Sequence, residues 1–400
     1  MKKVLMALAA GLCTMAAPLI ADAQQGAPVE TKKANSDYKP AFAGQTRIAS
    51  VTTKAAYEGK VLTSDLHSPW GIAVMPDGRL LITEKSGKIR IVTTGGQIGE
   101  AISGVPAVNP AGQGGLLGIC VDNNFKTNRM VYWAFSNRVD NANCTAVAKG
   151  KLSADEKSLE NVSIIYRALP AYDGTLHYGG RVIMAKDGLL FLSTGERSDL
   201  VTRPQAQDIN SALGKVIRIT TDGKPAPGNP FAGKANAKAE IYSYGHRNVQ
   251  GLAIHPVTGE LWETEFGPRG GDEVNRVLPG KNYGWPTITY GIEYSGKQVG
   301  DAIQQKAGLE QPVYYYDPVI SPSGITFYHG GAMTEWNNNL FISSLSGMHV
   351  CRLVITNNKV VGEERLLAGE NQRFRDIKQG KDGALYTVTD QGRLYRIAKK

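Results

Sequence analysis

Cysteine is scarce in this chain. Four thiols occur in 400 residues, at Cys13, Cys120, Cys144 and Cys351. None stands at zinc-finger or catalytic spacing, which excludes a disulfide framework and a cysteine-built centre. Long apolar runs are equally rare, because after the first stretch no segment is long and apolar enough to span a bilayer. Helical periodicity is almost missing as well, which leaves little room for a bundle or an α/β sheet. The net charge is +9, yet the basic residues are dispersed and no nucleic-acid motif accompanies them. That pattern argues against a nucleic-acid partner and suits an anionic ligand, an acidic redox partner or a membrane surface.

What is present begins with "MKKVLMALAAGLCTMAAPLIADAQQ". Two lysines, an apolar run from Val4 to Ile20 and the small-residue pattern Ala21-Asp22-Ala23 read as a secretory signal over 1–23. The mature protein is therefore expected in the periplasm or outside the cell, and not spanning a membrane. Residues 24–45 are polar, contain proline and lack periodicity, as a mobile linker would. Cys13 leaves with the signal, so three thiols remain and at most one pair can bond. Cys120 and Cys351 lie in apolar runs that read as strand interiors. Cys144, in "RVDNANCTAV", reads as an exposed loop thiol.

From residue 46 onward the chain repeats a unit. "MPDGRLLITEKSGKIRIV", "AKDGLLFLSTGER", "HPVTGELWETEFG" and "GKDGALYTVTDQGRLYRI" each open with a turn ending in Gly. Each continues into a short run rich in Leu, Ile, Phe and Thr. Glycine supplies the positive φ of a tight hairpin, and the run supplies a strand. "MVYWAFS" and "NNNLFISSLSGMHVCRLVI" keep the strand without the turn. Six such units over residues 46–400 predict an all-β, six-bladed β-propeller of four-stranded antiparallel sheets. A pair of β-sandwiches would explain short strands but not their recurrence. In a propeller, loops from distant units converge on one mouth of the central channel.

Four segments break the strand pattern with polar residues. In "NPAGQGGLLGIC", Gln113 sits among glycines that admit close backbone approach. In "DGTLHYGGRV", His177 precedes a strand whose hairpin return should bring Glu196 beside it, a base with an orienting carboxylate. In "YGHRNVQG", Arg247 and Asn248 follow Gly245; a guanidinium there can clamp a carboxylate or quinone oxygen. The same stretch runs on to Gly267, Pro268, Asp272, Glu273 and Asn275, an oxygen-rich loop with glycine corners suited to a hard cation. In "NQRFRDIK", Arg373 and Arg375 alternate and face one side, ready to trap an anion.

These segments, in this order, resemble the soluble glucose/sorbosone dehydrogenases, and within them the bacterial aldose sugar dehydrogenases. "GQGGLLG", "HYGGRV", "QDINSALGKVIRI", "IYSYGHRNVQGLA", "GGDEVNRVLPGKNYGWP", "YYYDPVISPSGITFY" and "RFRDI" carry the resemblance. It implies a quinoprotein that uses pyrroloquinoline quinone (PQQ) and calcium to oxidise aldose sugars to lactones. By the same resemblance His177 is the base, Glu196 its acidic partner, and Arg247 and Asn248 contact the quinone oxygens. Gln113, Arg373 and Arg375 complete the cofactor and substrate contacts. The carbonyls of Gly267 and Pro268 hold the catalytic calcium, with a second calcium near Glu273 and Tyr283. An electron acceptor, cytochrome or quinone, is implied; monomer and homodimer are equally compatible. Two departures stand out: Ser346 replaces a lysine of the glucose enzymes, and Leu176 an acid that helps bind sugar. The alternatives are a non-catalytic sugar-binding propeller and a calcium-dependent lactonase.

Overall fold

The turn dipeptides each join an innermost strand to the second strand of its sheet. Asp77-Gly78 links Pro69–Val74 to Leu80–Glu84, and Asp187-Gly188 links Val182–Met184 to Leu190–Ser193. Asp382-Gly383 does the same between Phe374–Gln379 and Leu385–Thr389. The computed structural model describes residues 26–400, so the signal over 1–23 and Cys13 lie outside the described residues. Six four-stranded antiparallel sheets form a six-bladed β-propeller. Their innermost strands, Pro69–Val74, Leu116–Val121, Val182–Met184, Val249–Ile254, Pro322–Phe327 and Phe374–Gln379, contact one another in turn and close a ring. Here they define blades 1 to 6. Blade 6 is completed from the other end of the chain, since Tyr57–Thr63 pairs with Leu394–Lys399.

The second strands are buried on both faces, because each blade packs between two others. Leu80–Glu84 and Leu385–Thr389 are buried at every residue, which is why they read as near-continuous apolar runs and not as alternation. Blades 1 and 2 share a core of Leu81, Ile119, Val131, Trp133 and Phe135. Blades 4 and 5 share Trp262, Ile325, Phe327 and Ile342. No helix among the described residues is long and apolar enough to cross a membrane.

Two expectations change. Cys144 is not an exposed loop thiol: it lies in the strand Ala142–Leu152 and is 0% exposed, because the strand extends to the very tip of its hairpin. Cys120, Cys144 and Cys351 are all free. The segment expected as a mobile linker is irregular but tied down. Asn35 and Ser36 donate to the Asp317 carboxylate, and Arg47 donates to the carbonyls of Glu30, Lys32 and Asp317. Gln45 is fully buried and donates to Pro312 O at 2.9 Å. Composition gave no sign of this, because the partners belong to blades 4 and 5.

Candidate active site

Innermost strands run away from one mouth of the channel and second strands return to it, so residues flanking these pairs gather there. His177 precedes the innermost strand of blade 3, and Glu196 follows the second strand. Their side chains meet, His177 Nδ1 to Glu196 Oε1 at 2.7 Å. The backbone around the pair is held as well. The His177 backbone N–H donates to Gln113 Oε1 at 2.9 Å, and Glu196 N donates to Arg247 O at 3.0 Å. Arg197 donates to Leu176 O, Asn143 O and Gly174 O and lies 3.9 Å over the Tyr178 ring. This fixes a backbone in which His177 has φ 45°, a left-handed conformation uncommon for histidine. Gly195 permits the approach, since a Cβ there would stand 2.3 Å from His177 O and 2.7 Å from Asn248 Oδ1.

With Nδ1 engaged by a carboxylate, the proton rests on Nδ1 and the Nε2 lone pair is free. Burial pushes the imidazole pKa down to about 4, and the nearby Arg247 charge adds to the effect against the opposing pull of Glu196. The ring is therefore neutral at pH 7 and able to accept a proton.

Gly245, at φ 79°, ends the strand Ile241–Tyr244 and turns the chain into the mouth. Arg247 and Asn248 follow. Arg247 donates to Phe266 O and Gly267 O at 3.1 and 2.7 Å. Asn248 Oδ1 accepts from Gly179 N at 3.0 Å. Arg247 Nε and Asn248 Nδ2 are buried donors without a protein acceptor. Leaving such groups unmet costs about 1–3 kcal/mol each, a cost that a ligand with acceptor oxygens within their reach would relieve.

Beside them opens a cavity of about 330 Å³ lined by Trp70, Lys85, Gln113, Gln250, Arg373, Arg375 and Asp390 among others. Arg373 and Arg375 do share a face, but they are not free cations. Asp390 receives both, Arg373 Nε at 2.9 Å and Arg375 Nε at 2.8 Å. Lys85, which donates to Gly112 O, adds a third cation to the wall against this one carboxylate. Ser346 is exposed at the rim with its Oγ 2.8 Å from Ser321 Oγ, so Lys85 and not this position supplies a third cation. Lys85 and Asp390 follow second strands, a place that marks mouth residues once the fold is known. The channel floor is closed by Arg181, 1% exposed, which pairs with Asp376 at 2.7 Å and lies 4.3 Å over Trp70.

A smaller pocket adjoins, lined by Arg247, Glu265, Gly267, Pro268, Glu273 and Tyr283. Phe266 lines both. The Pro268 carbonyl receives no hydrogen bond from the described residues, whereas Gly267 O already accepts from Arg247. Carbonyls with spare lone pairs lining this pocket would fit a hard cation. Tyr283 offers only its carbonyl, because its hydroxyl donates to Arg276 O and accepts from Leu278 N.

A six-bladed propeller that gathers an oriented imidazole, unmet donors and a cation-rich wall at one mouth is a scaffold able to hold an anionic ligand beside a base. Residues 66–396 match the family model described as glucose/sorbosone dehydrogenase, and the chain belongs to that family. It is 38% identical over 346 residues to the aldose sugar dehydrogenase YliI of Escherichia coli, covering 85% of this chain and 92% of that protein. The apo-form crystal structure of soluble aldose sugar dehydrogenase from Escherichia coli superposes with TM-score 0.82 at 37% identity, over 86% of this chain and all of that one. The PQQ-bound aldose sugar dehydrogenase of Streptomyces coelicolor gives 0.72 at 30% identity, over 87% of this chain and all of that one.

Proposed function

We propose that this protein oxidises aldose sugars at the anomeric carbon to the lactone, with PQQ as cofactor and calcium as its partner ion. The observation that carries this reading is an imidazole, fixed through Nδ1 by Glu196, standing among buried donors that have no protein acceptor. Bound PQQ would supply the two-electron acceptor, and calcium a Lewis acid beside it. His177 Nε2 takes the proton of the anomeric hydroxyl, while Glu196 stabilises the imidazolium that results. Arg247 and Asn248 present positive charge and an N–H where negative charge develops. Lys85, Arg373 and Arg375 hold cofactor carboxylates, and Gly267 O and Pro268 O the calcium. Leu176 is partly exposed where an acid would narrow the sugar range, which favours a broad set of aldoses. Export by the 1–23 signal and an acceptor that is a cytochrome or a quinone complete the proposal.

Reconstitution tests it. Protein supplied with PQQ and calcium is expected to reduce an artificial dye in an aldose-dependent way, and to lose that activity with a chelator. Tight PQQ binding without turnover on a broad aldose panel would favour a binding propeller; lactone hydrolysis without PQQ would favour the lactonase.

Two further outcomes follow from the geometry. Exchanging both Arg373 and Arg375 for alanine leaves Asp390 facing the cavity unpaired, so PQQ dissociation measured by absorbance titration should weaken by at least ~10-fold; unchanged affinity would remove these residues from the cofactor site. The pH profile depends on His177. A base must be unprotonated, and its pKa is about 4, so kcat/KM should stay level down to about pH 5 and fall below it. An acid limb centred near pH 6.5 would show an imidazole in an ordinary environment.

A further inference from the structure

Directly behind Arg247 and Asn248 lies a polar cluster that the proposed chemistry does not use. Glu263 and Glu265 alternate along Leu261–Glu265 and share a face. The neighbouring strand Asp272–Val277 sets Asn275 opposite Glu263 and Glu273 opposite Glu265. Three carboxylates and an amide thus form a two-by-two block, and His246 covers it. His246 Nδ1 lies 3.1 Å from Glu265 Oε1 and 3.9 Å from Glu263 Oε1. His246 and Glu263 are each 0% exposed. Among the described residues no lysine or arginine pairs with Glu263, Glu265 or Glu273; their ion-pair contacts are with His246 alone.

Each group is anchored by one atom and turns another toward the cluster, where His246 Nδ1 and Glu265 Oε1 share a hydrogen bond at 3.1 Å. His246 Nε2 is 2.8 Å from Ser243 Oγ, and the ring stacks on Tyr283 at 4.6 Å, which leaves Nδ1 to the cluster. Glu265 Oε2 accepts from the Arg247 and Asn248 N–H groups, which leaves Oε1. Glu263 Oε1 accepts from Asn275 Nδ2 at 2.7 Å, while Glu263 Oε2 and Asn275 Oδ1 are buried with no partner at all. The block carries more negative charge than its apolar surroundings tolerate. Outer atoms held by hydrogen bonds, with one ligand atom from each of three residues within 4.8 Å of one another, are how proteins orient metal ligands.

We propose that His246, Glu263 and Glu265 bind one divalent first-row transition ion, with zinc the expected occupant. Two carboxylates balance a 2+ charge, and an imidazole nitrogen selects such ions over calcium. The site adjoins the all-oxygen calcium positions of the proposed dehydrogenase, since Glu265 lines the same pocket as Gly267, Pro268, Glu273 and Tyr283, but it differs from them in its imidazole nitrogen, and it stands on side-chain geometry that needs no PQQ. Through Glu265 Oε2 the ion would also stiffen the backbone that presents Arg247 and Asn248.

The experiment is calorimetric titration of metal-stripped full-length protein with Zn²⁺ in excess Ca²⁺ and without PQQ, followed by zinc-edge X-ray absorption of the loaded protein. The expected result is one site whose spectrum shows outer-shell scattering from a single imidazole. His246→Leu should abolish it, and Glu263→Gln should weaken zinc binding by roughly 100-fold. No zinc uptake, an oxygen-only spectrum, or the same uptake in His246→Leu would overturn the proposal and leave shared protons to neutralise the block. Should the variants fail to fold, the wild-type spectrum decides, since it reports the imidazole directly. Because neither readout uses PQQ, a failed sugar oxidation and a failed zinc site are told apart.

Discussion

Replacing His177 with alanine is expected to lower turnover by about 10²–10⁴-fold, the usual contribution of a general base, with PQQ affinity nearly unchanged. The reason is local. Among the described residues, the ring's hydrogen-bond contact is with Glu196, and Gln113 is held through the backbone N–H that alanine keeps. Stopped-flow measurement of the reductive half-reaction, beside a PQQ absorbance titration, separates the two effects. Sugar oxidation at the wild-type rate would exclude His177 as the base. Glu196→Gln should give an intermediate loss, because an amide can still accept the Nδ1 proton but cannot stabilise the imidazolium as a carboxylate does.

The second large effect concerns stability. Asp376→Leu should destabilise the fold by about 3–5 kcal/mol, since it leaves Arg181 charged and unpaired in the channel. Asp376 is 0% exposed, accepts from Ile72 N at 2.8 Å as well as from Arg181, and so joins blades 1, 3 and 6. Changing both residues, Arg181→Met with Asp376→Leu, should recover most of the loss, because an apolar pair carries no desolvation cost. Denaturant midpoints of the three proteins provide the comparison. A single-variant loss below ~1 kcal/mol would show that water reaches Arg181.

The blade pattern was legible because it is local. A turn dipeptide and the buried strand after it lie within about a dozen residues, so one window holds both. The approach of Glu196 to His177 was legible for the same reason, since one hairpin of blade 3 joins them. Asp390 was not. It sits in "TVTDQGRL" and reads as a turn residue, and its role depends on how the end of one strand of blade 6 meets the start of another. Lys85 is hidden in the same way within "LLITEKSG". Glu263 and Glu265 did leave a signal, two carboxylates alternating inside an otherwise apolar strand, which polar burial makes costly. Their meeting with His246 requires the bend at Gly245, and no spacing rule encodes that. Cys144 misled because "DNAN" has turn composition, yet the hairpin it marks is tight and the strand runs right up to it.

The ring's closure has a consequence for how the chain is made. Tyr57–Thr63 leaves the ribosome before any blade is complete, and its partner, Leu394–Lys399, follows every other strand of the propeller. Its cross-strand hydrogen bonds therefore wait for the other strands of all six blades, and a vectorial, blade-by-blade assembly cannot finish from one end. Such a distant pairing adds only slowly to the loop-closure entropy, but it slows the final step, as contacts far apart in sequence do. Until that step five blades can stand assembled around an open channel, with the edge of the sixth exposed to any other chain that offers a strand.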